Sequence, residues 1–339
     1  MSYARLVKSL SEARGADFTA DPGEMQQLFA AMLDGGVPEL ELGALIVALA
    51  NRPISPAMLM DFSAALSARV LAMPWPEWAS EAGPYARPDT GPHPVVIPAY
   101  GSVHRQRNLA PLVAMVLQRL HIPVLVHGTL EGHGGVASAY VFRELGVMPC
   151  TTRAQAQSAL NRDWLAFVPT GVIAPGLARL LSLRSRLGVG GLCHVMALLL
   201  DPFAGAGMRM VAADDADTLA ALRDVLLSED GTSLLMRGTE GEAFVNPHRR
   251  PRIEFVRNGV ASVLFEQETA HEDSAESDET DVGARATASW MTRVLEGSAT
   301  LPQPILNQLA CCVYASGQAA DLNEAKAIVA VEARSLAAA

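Results

Sequence analysis

The chain has 339 residues and a net charge of −10, with half of its residues hydrophobic, 18% charged and 5% aromatic. That balance calls for a large core and excludes a globally disordered chain, while the scarcity of aromatics argues against a single-strand binder built on base stacking. No apolar run is long enough to span a bilayer, and Met1-Ser2-Tyr3-Ala4-Arg5-Leu6-Val7-Lys8 lacks the apolar centre of a signal peptide, so a cytoplasmic protein with no membrane partner is expected.

Residues 1–72 read as a small helical domain. Asp21-Pro22-Gly23-Glu24 has the form of an N-cap, a proline at the first helical position and a capping-box acid, and this helix should stop at Asp34-Gly35-Gly36. Ser55-Pro56 opens another helix, with Leu59, Phe62, Leu66 and Val70 on one face. Residues 73–94 hold six prolines and read as a linker. From Pro94 the pattern turns to alternating strands and helices. Val95–Ile97, Val124–Val126, Trp164–Val168, Arg209–Ala212 and Ser233–Met236 are expected strands, with helices over Asn108–Leu120, from Val136, and over Thr218–Leu227. Ile253–Val256 and Ala261–Phe265 should form a hairpin about Asn258-Gly259, a favoured two-residue turn, and the remainder from Ala284 is helical. The expected fold class is α/β: a small helical N-terminal domain, then a large α/β domain over 95–339 with a mainly parallel sheet. Segment 170–200 is expected to pack on the helical domain.

The stretch Ile122 to Tyr140 is the most informative. An apolar run of strand length stops at His127-Gly128, and a loop rich in Gly and His leads into a helix. In open parallel sheets ligands sit at such loops, where glycines permit close backbone approach and helix N–H groups face an anion. Two alternatives stand: a site facing a phosphate-bearing ligand, or a strand-to-helix turn that needs glycine for its geometry alone. Cys150, Cys193, Cys311 and Cys312 lack metal-ligand spacing and suit a reducing compartment, and the adjacent Cys311 and Cys312 read as core filler. His127, His133 and His194 likewise lack ligand spacing. Eight acids lie between Glu266 and Asp281 with no Lys or Arg among them; the net charge of −10 becomes −2 when they are set aside. The run reads as a solvated acidic loop over 266–282, with two other possible roles, a nucleic-acid mimic shielding a basic groove and a docking tail for a protein partner.

Val126-His127-Gly128, Glu144-Leu145-Gly146-Val147, Phe167-Val168-Pro169, Leu183-Arg184-Ser185-Arg186-Leu187-Gly188-Val189 and Leu199-Leu200-Asp201-Pro202, in this order behind a helical domain, resemble the anthranilate phosphoribosyltransferase family, which shares its fold with nucleoside phosphorylases. The resemblance covers almost the whole chain and departs from the family at the catalytic elements. The family's diphosphate loop, Gly-Thr-Gly-Gly-Asp running on to Thr-Phe-Asn, aligns with Pro98 to Asn108; Gly101 and Asn108 survive, Pro98 and Tyr100 replace glycines, and Ser102 replaces the acid. The family's Lys-His-Gly-Asn becomes Val126-His127-Gly128-Thr129, a later Lys falls at Gly135, and the magnesium-binding Asp-Glu falls at Gly241-Glu242. The Asn before the family's Gly-Pro becomes His194, and Arg184 matches the arginine that meets the aromatic acid.

Phosphoribosyl transfer needs a metal-bound leaving group and charge stabilisation around it, so the losses imply no efficient anthranilate transfer. The pattern of Tyr100, Arg105 to Asn108, His127 to Thr129, His133, His194 and Asn246 to Glu254 instead resembles a non-catalytic, YbiB-type branch. That resemblance implies homodimers, here through the helical domain, that bind DNA without sequence preference in a basic groove and require no cofactor. His104, Arg105 and Arg107 then form one basic cluster, and His248, Arg249, Arg250 and Arg252 a second, for phosphate contacts rather than base readout. For each cluster a solvated charged loop is the alternative. The competing functional reading is a glycosyltransferase with an altered donor or acceptor, in which the 127–135 loop holds the sugar phosphate and Glu242 holds magnesium.

Overall fold

The computed structural model describes residues 2–12, 23–74, 92–132, 134–269 and 281–338. Five strand-length segments, β1 (Val95–Ala99), β2 (Val124–Gly128), β3 (Leu165–Pro169), β4 (Met208–Ala213) and β5 (Thr232–Arg237), lie side by side as parallel strands. The hairpin β6 (Ile253–Arg257) and β7 (Val260–Phe265) continues the sheet antiparallel, giving the order β3-β2-β1-β4-β5-β6-β7. Asn258 and Gly259 take φ of 48° and 76°, the left-handed pair that a two-residue hairpin turn requires.

Parallel strands buried on both faces need helices on both sides, and alternate residues serve the two layers. Val96 and Leu125 enter a core shared with α1 (Tyr3–Glu12), α2 (Glu24–Asp34), α3 (Glu39–Ala50) and α4 (Pro56–Ser67). That layer also contains α7 (Arg153–Asp163), α8 (Thr170–Ile173), α9 (Pro175–Ser182), α10 (Arg184–Leu187), α11 (Gly191–Leu198) and α12 (Ala216–Ser228). Val95, Ile97, Val124 and Val126 point the other way, onto α5 (Ala110–Arg119), α6 (Ser138–Glu144), α13 (Ala284–Leu295), α14 (Gln303–Ala315) and α15 (Leu322–Ala338). The segment 170–198 packs against the N-terminal helices, α9 on α2 and α11 on α3. Buried Arg209 of β4 ties the layers together: it bonds Glu229, whose other oxygen takes the Ser63 hydroxyl of α4.

Local signals placed most elements to within a few residues, with two shifts. α2 begins at Glu24, behind a left-handed Gly23, and the Glu24 carboxylate pairs with Arg5 across the helices; Asp21 and Pro22, the other half of the expected capping box, lie outside the described residues. Val136, expected to open a helix, pairs with Val103 in an isolated antiparallel bridge, and α6 starts two residues later at Ser138. Most of the proline-rich linker, 75–91, lies outside the described residues, as do 270–280 of the acidic run. Among the described residues no helix is long and apolar enough to cross a membrane.

The strand order reverses between β1 and β4, the point where ligands bind in sheets of this type. β1 pairs with β4 at Val95 and Val96 alone, so the two strands part toward their carboxyl ends. Pro98, which cannot donate to a sheet ladder, is tolerated in this central strand because its nitrogen faces the side where pairing has already stopped.

Candidate functional site

Three loops meet beyond the carboxyl ends of β1, β2 and β5. Their fit is set by glycines that admit no side chain. A Cβ on Gly128 would lie 2.0 Å from the carbonyl oxygen of Ala99, and one on Gly101 would lie 2.7 Å from the carbonyl carbon of Gly241. The Val103–Val136 bridge pins the first loop to the second, and a Cβ on Gly135 would meet the His104 ring at 2.9 Å.

Beneath these loops lies a closed polar network. Tyr100 and His127 are buried, with the phenol oxygen 2.8 Å from His127 Nδ1. The Thr170 hydroxyl, also buried, reaches both the phenol, at 3.0 Å, and the Gly128 carbonyl, at 2.9 Å. Burial pushes the Tyr100 phenol well above its usual pKa and holds His127 down at about 3. His127 is therefore a neutral imidazole at physiological pH and supplies no cation; its Nε2 has no hydrogen-bond partner among the described residues. His194, half-buried on α11, presents its ring edge-on to Tyr100 at 6.2 Å.

Glu242 is also fully buried. Its Oε2 lies 3.2 Å from the Ser138 hydroxyl, which is 3.3 Å from Asn108 Oδ1; Asn108 in turn caps Ala110 and bonds the Val136 carbonyl. Burial is the largest influence on the carboxyl and raises its pKa to about 8, against the lowering effect of these hydrogen bonds. A single buried carboxyl flanked by a hydroxyl and an amide is a sparse donor set for magnesium, which takes six oxygen ligands and keeps several waters. Among the described residues no group of three His, Cys, Asp or Glu side chains could hold a metal ion. Glu242 and Asn108 thus sit beneath the loops as a hydrogen-bonded support, and the residues present do not fit magnesium.

The basic residues occupy the outside. His104 and Arg105 are exposed, and their backbone amides both donate to the Glu240 carboxylate. Arg107 stacks over the Trp290 ring of α13, 5.2 Å from its centroid. Thr129 bonds the carbonyl of Glu131, Arg184 packs against Gly190, and His133 lies outside the described residues. In the second cluster, His248 and Arg249 are exposed in a turn held by Asn246. Arg249 Nε donates to the Glu268 carbonyl, Arg250 pairs with the Glu268 carboxylate at 3.2 Å and lies over Phe265, and Arg252 is shared between Glu254 and Glu266. The acidic run thus begins by folding back on the arginines that precede it in the hairpin. Sequence reasoning missed Glu240, Ser138 and Thr170. Thr170 alone carried a local signal, standing directly after the Pro169 that ends a strand at the loop edge.

No protein-family model matches the chain. It is 33% identical over 334 residues to the uncharacterized protein YbiB of Escherichia coli (strain K12), spanning 97% of this chain and 99% of that one. Anthranilate phosphoribosyltransferase of Methylocella silvestris is 23% identical over 323 residues, 94% of this chain and 87% of that enzyme. Among solved structures, the anthranilate phosphoribosyltransferase of Thermus thermophilus superimposes with a TM-score of 0.72 at 20% identity, covering 98% and 97% of the two chains. The Saccharomyces cerevisiae enzyme in complex with PRPP and Mg gives 0.72 at 12% identity, over 99% of this chain and 94% of that one. With a relative one-third identical across nearly its full length, the chain belongs to the anthranilate phosphoribosyltransferase-like family, in its YbiB-type branch.

Proposed function

We propose that the chain has given up phosphoribosyl transfer and binds nucleic acid without sequence preference, through backbone phosphates. The observation that carries this reading is the filling of the switch point. Tyr100, on the loop that aligns with the family's diphosphate loop, is buried with His127 and Thr170 in a closed network. A diphosphate would have to displace a phenol ring, and it would find a neutral imidazole and a neutral carboxylic acid where charge is needed. Cations remain outside this network, at Arg105 and Arg249, and exposed guanidinium groups suit the backbone of a polyanion. The net charge of −10 opposes such binding globally, so the affinity rests on where the arginines stand. A homodimer joined through the N-terminal helices would double the number of such contacts along one duplex.

The test is fluorescence anisotropy of labelled single- and double-stranded DNA at roughly 50 and 200 mM salt, where contacts to several phosphates lower the affinity steeply. Arg105→Ala and Arg249→Ala should each weaken binding evenly across sequences and reduce the salt slope by about one. Absence of binding at low salt rejects the reading, and turnover with a phosphoribosyl donor and a nucleobase would replace it with the glycosyltransferase alternative.

A further inference from the structure

Glu240 stands where local chemistry disfavours it. Thr239 and Glu242 exchange backbone hydrogen bonds in both directions, closing a two-residue turn with Glu240 and Gly241 at φ of 50° and 81°. Such turns select Gly, Asn or Asp, because a longer L side chain in the left-handed region is strained. The gain that holds Glu240 there is tertiary. Its Oε2 accepts from the His104 amide at 2.8 Å and its Oε1 from the Arg105 amide at 3.1 Å. Two consecutive backbone N–H groups converging on one oxyanion make a concave anion cradle. The cradle is rigidly built: the bridge between Val103 and Val136 fixes one side of the loop, and the contact of Gly101 with Gly241 fixes the other.

We infer that the amides of His104 and Arg105 form a phosphate site that the Glu240 carboxylate fills in the free protein, so that Glu240 is an internal competitor displaced when a phosphodiester binds. This rests on the nucleic-acid reading above and adds the regulation of the same surface. A carboxylate and a phosphate offer the same pair of acceptor oxygens to the two N–H groups, and the exposed Arg105 and His104 side chains border the cradle. Displacement exchanges one anion for another, so the competitor lowers affinity for any phosphate without selecting a sequence.

The test uses the full chain and a labelled 20-base-pair duplex. Glu240→Gln keeps the shape and removes the charge; Glu240→Gly removes the side chain and suits the positive φ, so the pair separates competition from misfolding. Glu131→Gln removes one exposed acid from the neighbouring loop and controls for net charge. Both Glu240 variants should bind the duplex about 10-fold more tightly than the wild type, against about 2-fold or less for Glu131→Gln. With selective ¹⁵N labelling, the His104 and Arg105 amide resonances of Glu240→Gly should move on titration with inorganic phosphate, and those of the wild type should not. A wild type that binds DNA, with Glu240 variants that bind equally and with still amides, overturns this inference and leaves the nucleic-acid reading standing. No DNA binding by any variant, with amides of Glu240→Gly that do respond to phosphate, upholds the cradle and overturns the nucleic-acid reading.

Discussion

The Tyr100 hydroxyl lies 2.8 Å from Nδ1 of His127, and neither side chain reaches solvent. Whichever imidazole nitrogen carries the proton, the phenol is its one partner on that side, and Thr170 completes the chain to the Gly128 carbonyl. The network joins the ends of β1, β2 and β3, so it fixes the floor of the switch point as well as closing it.

Removing that hydroxyl should therefore cost stability. Tyr100→Phe leaves Nδ1 of His127 without its buried partner, while Thr170 keeps the Gly128 carbonyl, and a buried group orphaned in this way costs about 1–3 kcal/mol. Urea unfolding should show a lower midpoint at unchanged slope. The variant should gain no phosphoribosyl transfer, because the ring still fills the space.

Glu242 should make stability depend on pH. Its neutral form is favoured in the folded chain, with a pKa of about 8 against an ordinary value of 4.5. The unfolded chain loses this proton first, so the stability this group contributes is fully present below pH 4.5 and is lost as pH rises through about 8. Glu242→Gln keeps the hydrogen-bonding shape without the proton. Its thermal midpoint should hold steady over this window while that of the wild type declines, a difference on the order of a few kcal/mol at the alkaline end. Equal pH profiles would show that Glu242 is solvated.

The start of the acidic run should restrain the second basic cluster. Glu266 pairs with Arg252 in the open and Glu268 with Arg250 at half-buried positions, both at 3.2 Å. The exposed pair contributes little to stability, while the half-buried Glu268 also accepts from the Arg250 amide, so breaking both should lower the unfolding midpoint only modestly. Glu266→Gln with Glu268→Gln should tighten duplex binding by about 3- to 10-fold near 50 mM salt, and less at 200 mM as screening grows. Unaltered anisotropy curves would place the second cluster outside the binding surface.

Gly128 should tolerate no side chain. A Cβ there would meet the backbone carbonyl of Ala99 at 2.0 Å, and neither strand can yield because β2 is hydrogen-bonded between β1 and β3. Gly128→Ala should destabilise by several kcal/mol or prevent folding, read as lost soluble yield or a sharply lower melting temperature.

What the sequence determined by itself was the arrangement of elements. The five parallel strands were legible because a strand buried on both faces is a short apolar run, and the two hairpin strands, of which β7 is largely exposed, because Asn258-Gly259 marks the turn between them by backbone preference alone. The bulk of Tyr100 in place of a glycine was equally plain. The tertiary structure decided which polar residues face inward. His127, Asn108 and Glu242 carry the same side chains as surface residues would, and only the packing of three loops over them removes water, sets their protonation and turns them from ligand contacts into a floor. Glu240 shows the limit most clearly. It lies 135 residues from Arg105, in a turn whose local preference argues against it, and its contact arises because the ends of β1 and β5 open onto the same crevice.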